Sequence, residues 1–153
     1  MKITQRSVGI VVCLLVLSLP IVVQGQEAVA QSVFATISEN AKIAEGTREI
    51  SYEQFLELRF SGEAYVLLDV LMADTYAQGH IAGARNFPVT EITAERAKEL
   101  LNTSDNLVVY CGSFACHAST KAAQQLEDLG YTVVDYKGGL AEWQEKGNAL
   151  VSS

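Results

Sequence analysis

The residues best suited to chemistry lie in one short run, Val108-Val109-Tyr110-Cys111-Gly112-Ser113-Phe114-Ala115-Cys116-His117-Ala118-Ser119. Cys111 follows an apolar stretch and precedes a small-residue loop, after which helical spacing begins. A cysteine at such a junction is favoured as a thiolate, because loop N–H groups and the positive end of the next helix both stabilise negative sulfur. Thiolate is the nucleophilic form of cysteine. The same cradle, formed by Gly112 to His117, would hold a persulfide or an oxyanion.

Cys116 admits three readings: a disulfide partner for Cys111, a resolving thiol, or an inert loop residue. Four intervening residues in a curved loop allow the Cα separation of roughly 4.4–6.8 Å that a disulfide needs. A ring so small would stabilise by only about 2 kcal/mol on chain-entropy grounds, which argues for a redox purpose over a structural one. His117 stands either to tune Cys111 and contact an anion, or to sit in solvent. Ser113 and Ser119 are candidate anion donors, Ser119 equally a helix cap. Asp69, at a strand end, reads as a brace for neighbouring loop N–H groups. His80, in a turn, reads as hydrogen-bonded to backbone. Cys111, Cys116, His117 and His80 match no common zinc spacing, so neither metal nor cofactor is expected.

The elements that must position these side chains follow from periodicity. Residues 31–49 are mixed and polar and read as a linker, an N-terminal extension or a loosely packed helix. Ser51 can cap a helix carrying Phe55, Leu56 and Leu58 that ends at Gly62. Tyr65 to Leu68 is a buried strand, and a short helix follows over Ala73–Gln78, stopped at Gly79. Thr93 opens a helix on which Ala97, Leu100 and Leu101 share a face. Leu107 to Tyr110 is the second strand, ending at Cys111. The next helix carries Ala122, Ala123, Leu126 and Leu129, with Gly130 as its left-handed cap. Thr132 to Tyr136 is a third strand, Gly138-Gly139 turns the chain, and a last helix around Trp143 ends at Gly147. Strands alternating with helices make an α/β domain over residues 50–153, with a mostly parallel sheet and helices on both faces. Loops leaving the strand C-termini gather on one edge, where such folds bind ligands. Cys111 lies there.

The first thirty residues differ. Lys2 and Arg6 precede an apolar run from Val8 to Val23, and Ala28-Val29-Ala30 has the small-x-small pattern of a signal-peptidase site. About sixteen apolar residues are short of the roughly twenty a spanning helix wants. A cleaved signal peptide over residues 1–30 is expected, with an uncleaved anchor as the alternative. An exported protein follows, periplasmic first and secreted second. Cleavage leaves two of the three cysteines and moves the formal charge from −7 to −8, through loss of Lys2, Arg6 and Glu27. No basic stripe interrupts this acidic balance, which excludes nucleic-acid binding. Membrane contact is expected only with an uncleaved leader, and no oligomeric state is legible.

From Ile50 to Leu150 the chain resembles the rhodanese family. Leu67-Leu68-Asp69-Val70, with Tyr76, Gly79-His80-Ile81-Ala82-Gly83-Ala84 and Asn86-Phe87-Pro88, is similar to its N-terminal signature. Val109-Tyr110-Cys111 is similar to its active-site strand and nucleophile, and Gly138-Gly139-Leu140 with Trp143 and Gly147 to its C-terminal signature. The resemblance implies a rhodanese-like three-layer fold and sulfur-atom transfer by covalent catalysis. Cys111 would take sulfane sulfur from a small donor, such as thiosulfate, mercaptopyruvate or a persulfide, and pass it to a thiophilic acceptor. Leu71 stands where the family often has arginine, and the loop after Cys111 holds no Arg or Lys. A related phosphatase chemistry needs Cys-x5-Arg, and the sixth residue after Cys111 is His117. The alternatives left open are a non-catalytic binding module and a thiol–disulfide relay through Cys111 and Cys116.

Overall fold

The computed structural model of the protein describes residues 32–153. The expected leader over 1–30 and its expected cleavage point before Gln31 lie outside the described residues. Among the described residues no helix is long and apolar enough to cross a membrane.

Six strands form one sheet in the order β1-β2-β6-β5-β3-β4. These are β1 Lys42–Ala44, β2 Thr47–Ile50, β3 Val66–Asp69, β4 Arg85–Asn86, β5 Asn106–Tyr110 and β6 Thr132–Tyr136. All neighbours run parallel except the β1–β2 hairpin. The helices are α1 Val33–Asn40, α2 Tyr52–Ser61, α3 Ala73–Gln78, α4 Ala94–Leu100, α5 Ala118–Asp128 and α6 Gly139–Glu145. The expected α/β architecture is the observed one.

Side chains alternate across a strand, and here the alternation sorts the core into two layers. Val108 and Tyr110 of β5, with Val134 and Tyr136 of β6, pack beneath α1, α2 and α6 through Phe34, Ile37, Phe55, Leu58 and Trp143. Leu107 and Val109, with Val133, face α4 and α5 through Ala97, Leu101, Ala122, Ala123 and Leu126. Cys111 continues the Leu107–Val109 parity and joins the α5 layer. Helix α2 starts in a capping box, in which Ser51 and Gln54 each accept from the other's backbone N–H. Such a cap contributes about 1 kcal/mol. Gly62, at φ 79°, closes the helix.

Two expectations are corrected. Residues 32–49 take the helical alternative and not the linker: α1 buries Phe34 and Ile37, and β2 beyond it pairs with β6. Burying those two side chains contributes about 1.5–3 kcal/mol each, enough to hold a helix that its polar composition hides. Leu100 is also misplaced, being 39% exposed while Ala97 and Leu101 are buried. The last turn of α4 rotates it off the core.

Candidate active site

Strand β5 ends at Tyr110, and Cys111 follows with no exposed surface. The loop then folds back on itself: the Cys116 N–H donates to the Ser113 carbonyl at 2.9 Å. This turn brings the Cys116 carbonyl over the sulfur, and the Cys111 S–H donates to it at 3.4 Å. Ser119 Oγ lies 3.3 Å from the same sulfur. Both cysteines are free thiols, and Cys116 is only partly buried.

From below, helix α6 anchors the loop. Leu140 N–H donates to the Cys111 carbonyl at 3.0 Å, and Ala141 N–H to the Gly112 carbonyl at 2.9 Å. Gly139, at φ 56°, allows this approach, because a Cβ there would stand 2.2 Å from the Cys111 carbonyl oxygen.

A charged group that the loop sequence lacks arrives from the next strand. The register Val109↔Asp135 sets Cys111 beside Lys137, two residues further along each strand on the α5 face. Lys137 is 8% exposed. Its Nζ donates to the Cys116 carbonyl at 3.0 Å and to Thr120 Oγ1. Thr120 in turn donates to Asp135 Oδ2 at 3.1 Å. Burial pushes the Asp135 carboxyl up, against Ser119, Lys137 and Thr120, which lower it. Sequence reasoning looked for a basic residue inside the loop and missed this one. Aligning Leu107–Cys111 with Val133–Lys137 as adjacent parallel strands would have found it.

The two thiols differ in acidity. Burial pushes the Cys111 thiol up and its contact with Cys116 adds to this, while Ser119 lowers it. For Cys116 burial also raises, but hydrogen bonds from Cys111 and from the Gly112 and Ala118 amides, with the charge of Lys137, bring it down overall. The expected Cys111 thiolate is therefore corrected: burial holds Cys111 toward the thiol, while the Gly112 and Ala118 amides and Lys137 favour an ionised Cys116. At neutral pH, limiting iodoacetamide is expected to label Cys116 before Cys111, with Cys111 labelling rising only in the alkaline range. Peptide mass mapping reads the order, and equal labelling at neutral pH would contradict it.

The other sequence-predicted residues divide clearly. Phe114, 61% exposed, and Ala115 form the loop tip, while Gly112 and Ser113 act through their carbonyls. The side chain of His117 is 72% exposed, and its Nδ1 lies 3.4 Å from Glu45 of the β1–β2 turn. It does not reach the sulfur. Asp69 Oδ1 accepts the Leu71 N–H at 2.9 Å, bracing the loop after β3. His80 bonds the Tyr76 carbonyl at 2.9 Å and stacks on the Tyr76 ring. Leu71 packs on the same apolar layer as Cys111 and Cys116. Beside the loop, a pocket of about 250 Å³ opens between Phe114, Lys42, Glu49 and Lys137.

The family model for the rhodanese-like domain matches residues 51–146. The chain belongs to the rhodanese-like domain family. Thiosulfate sulfurtransferase PspE of Escherichia coli is 34% identical over 83 residues, covering 54% of this chain and 76% of that protein. An HTH-type transcriptional regulator of Mycobacterium tuberculosis is 32% identical over 123 residues, 79% of this chain. The chain spans only about half of that regulator, 53% of its length. Among solved structures, the rhodanese-like domain of the Anabaena sp Alr3790 protein superposes with a TM-score of 0.60 at 28% identity, covering 69% of this chain and 79% of the other. The BH2092 protein of Bacillus halodurans reaches a TM-score of 0.62 at 26% identity, covering 68% and 76%. In this rhodanese-like domain the loop of residues 111–117 leaves the sheet edge at which the family resemblance puts the nucleophile.

Proposed function

We propose that this rhodanese-like domain is a sulfurtransferase that carries sulfane sulfur on Cys111. The observation that carries the reading is the pairing of two unlike thiols at the end of β5, with a buried ammonium beside them. Cys111 gives up its proton to solvent as the loop opens and attacks the sulfane sulfur of the donor. The new bond joins Cys111 Sγ to that sulfur, and the donor's own bond to it breaks. With thiosulfate, sulfite departs with the bonding pair. An acceptor thiolate then attacks the outer sulfur, and Cys111 leaves as a thiolate. Splitting one transfer into two steps is the usual gain of covalent catalysis.

Lys137 and Lys42 face the pocket beside the loop with Glu49 as the acidic counterweight, a charge balance that favours a small anionic donor. Cys111 has no exposed surface, so loading requires the loop from Gly112 to His117 to open. That burial equally suits the rival reading, a binding module that keeps the fold without the chemistry. Intact-mass measurement after incubation with thiosulfate, mercaptopyruvate or an inorganic polysulfide separates the two. The expected result, with Cys116 replaced by serine to hold the product, is a gain of one sulfur that reductant removes. Loss of that gain on Cys111→Ser completes the test. A protein that gains nothing from any of the three donors is not a carrier.

A further inference from the structure

We infer that Cys116 is a built-in acceptor that converts the Cys111 persulfide into a Cys111–Cys116 disulfide with release of hydrosulfide. The inference rests on the carrier role proposed for Cys111 and adds a second activity, the reductive release of sulfide from a sulfane-sulfur donor.

Three features of the loop carry it. The Ser113–Cys116 turn folds the second cysteine back over the first, so that the Cys111 S–H reaches the Cys116 carbonyl at 3.4 Å. Both thiols are free and pack in the same apolar layer. Lys137, held against the Cys116 carbonyl at 3.0 Å, fixes a positive charge beside the pair, where negative sulfur develops in every step.

The chemistry balances without a metal. Cys111 first becomes a persulfide, as above. The Cys116 thiolate then attacks Cys111 Sγ, the Sγ–Sγ bond forms, and the bond from Cys111 Sγ to the outer sulfur breaks. That sulfur leaves with the electron pair as hydrosulfide, taking the persulfide proton. The disulfide needs two electrons to reset, and an external dithiol supplies them. Exposure sets the direction: Cys116 is partly exposed and Cys111 fully buried. The dithiol therefore attacks Cys116, and Cys111 leaves as a thiolate ready for the next donor. The intervening mixed disulfide on Cys116 is closed off by the second thiol of the reductant. A monothiol leaves it standing.

The test uses the full chain, reduced and freed of reductant under anaerobic conditions, with one equivalent of thiosulfate or inorganic polysulfide as probe. Hydrosulfide is measured directly, and thiol states are located by peptide mass mapping so that Cys13 does not enter the count. The unaltered protein is expected to release one equivalent of hydrosulfide while its loop peptide loses two hydrogens. Cys116→Ser is expected to release none and to retain the extra sulfur on Cys111. Adding a dithiol should make release from the unaltered protein catalytic. An unaltered protein that keeps its persulfide, with Cys116→Ser loading equally, overturns the inference and leaves the carrier role intact. Disulfide without hydrosulfide also overturns it. Failure of both the unaltered protein and Cys116→Ser to take sulfur from either donor overturns both.

Discussion

Replacing Gly139 with alanine is expected to lower the unfolding free energy by about 3 kcal/mol and to slow persulfide loading about a hundredfold. The residue has φ 56°, and its Cβ would meet the Cys111 carbonyl oxygen at 2.2 Å and the carbonyl carbon at 2.9 Å. Neither atom belongs to a flexible side chain that could swing aside. Relief must come from moving α6 off the loop, and that breaks the bonds from Leu140 and Ala141 to the Cys111 and Gly112 carbonyls. Those two bonds fix the backbone of Cys111 and Gly112 against α6. Gly83→Ala is the matched control: its φ is 87° but nothing lies within 4 Å of the added carbon. Only the backbone penalty of about 1–2 kcal/mol applies there, with loading unchanged. Urea unfolding and single-turnover mass measurement read both effects. Equal behaviour of the two variants would show that the α6 contact does not position Cys111.

Lys137→Met is expected to raise the Cys116 thiol and so slow its alkylation at neutral pH several-fold. The sign follows from charge. The ammonium favours thiolate, so its removal leaves less thiolate at any pH below the thiol's own range. The gap between variant and parent must close as pH rises above that range, since both thiols are then ionised. A structural defect alone would offset the two curves at every pH. The substitution also strips Thr120 Oγ1 and the Cys116 carbonyl of a donor and leaves the buried Asp135 without its neighbouring cation. Breaking one side of a buried charged network costs about 3–5 kcal/mol, and protonation of Asp135 limits that loss. Superimposable rate–pH curves would remove Lys137 from the site's electrostatics.

Much of this was legible in residue order. The cap at Ser51, the stop at Gly62, the short helix Ala73–Gln78 and the cap at Gly130 are local events, written in residues that act on their nearest neighbours. The strand positions around Leu67, Val108 and Val134 showed as short apolar runs because both faces of a parallel sheet are covered. The β1–β2 hairpin was harder. Its strands are short and half polar, yet Glu45-Gly46 carries the two positive φ values, 49° and 80°, that a two-residue hairpin requires. That dipeptide was the available signal. The site divides in the same way. Position along the chain located Cys111, but the neighbours that decide its proton come from β6 and from the returning loop. Acidity depends on burial and on which sulfur the amides face, and neither is a property of a linear motif.

The pairing of β2 with β6 has a bearing on how this domain is handled. The matched family region begins at residue 51, whereas α1 and the β1–β2 hairpin before it are packed into the same core and sheet. Trimming the chain to the family boundary would bare the edge of β6, the strand that leads into Lys137. An uncovered strand edge recruits other chains. Such a fragment would lose solubility and the cation beside its thiols together, and its inactivity would say nothing about the intact domain.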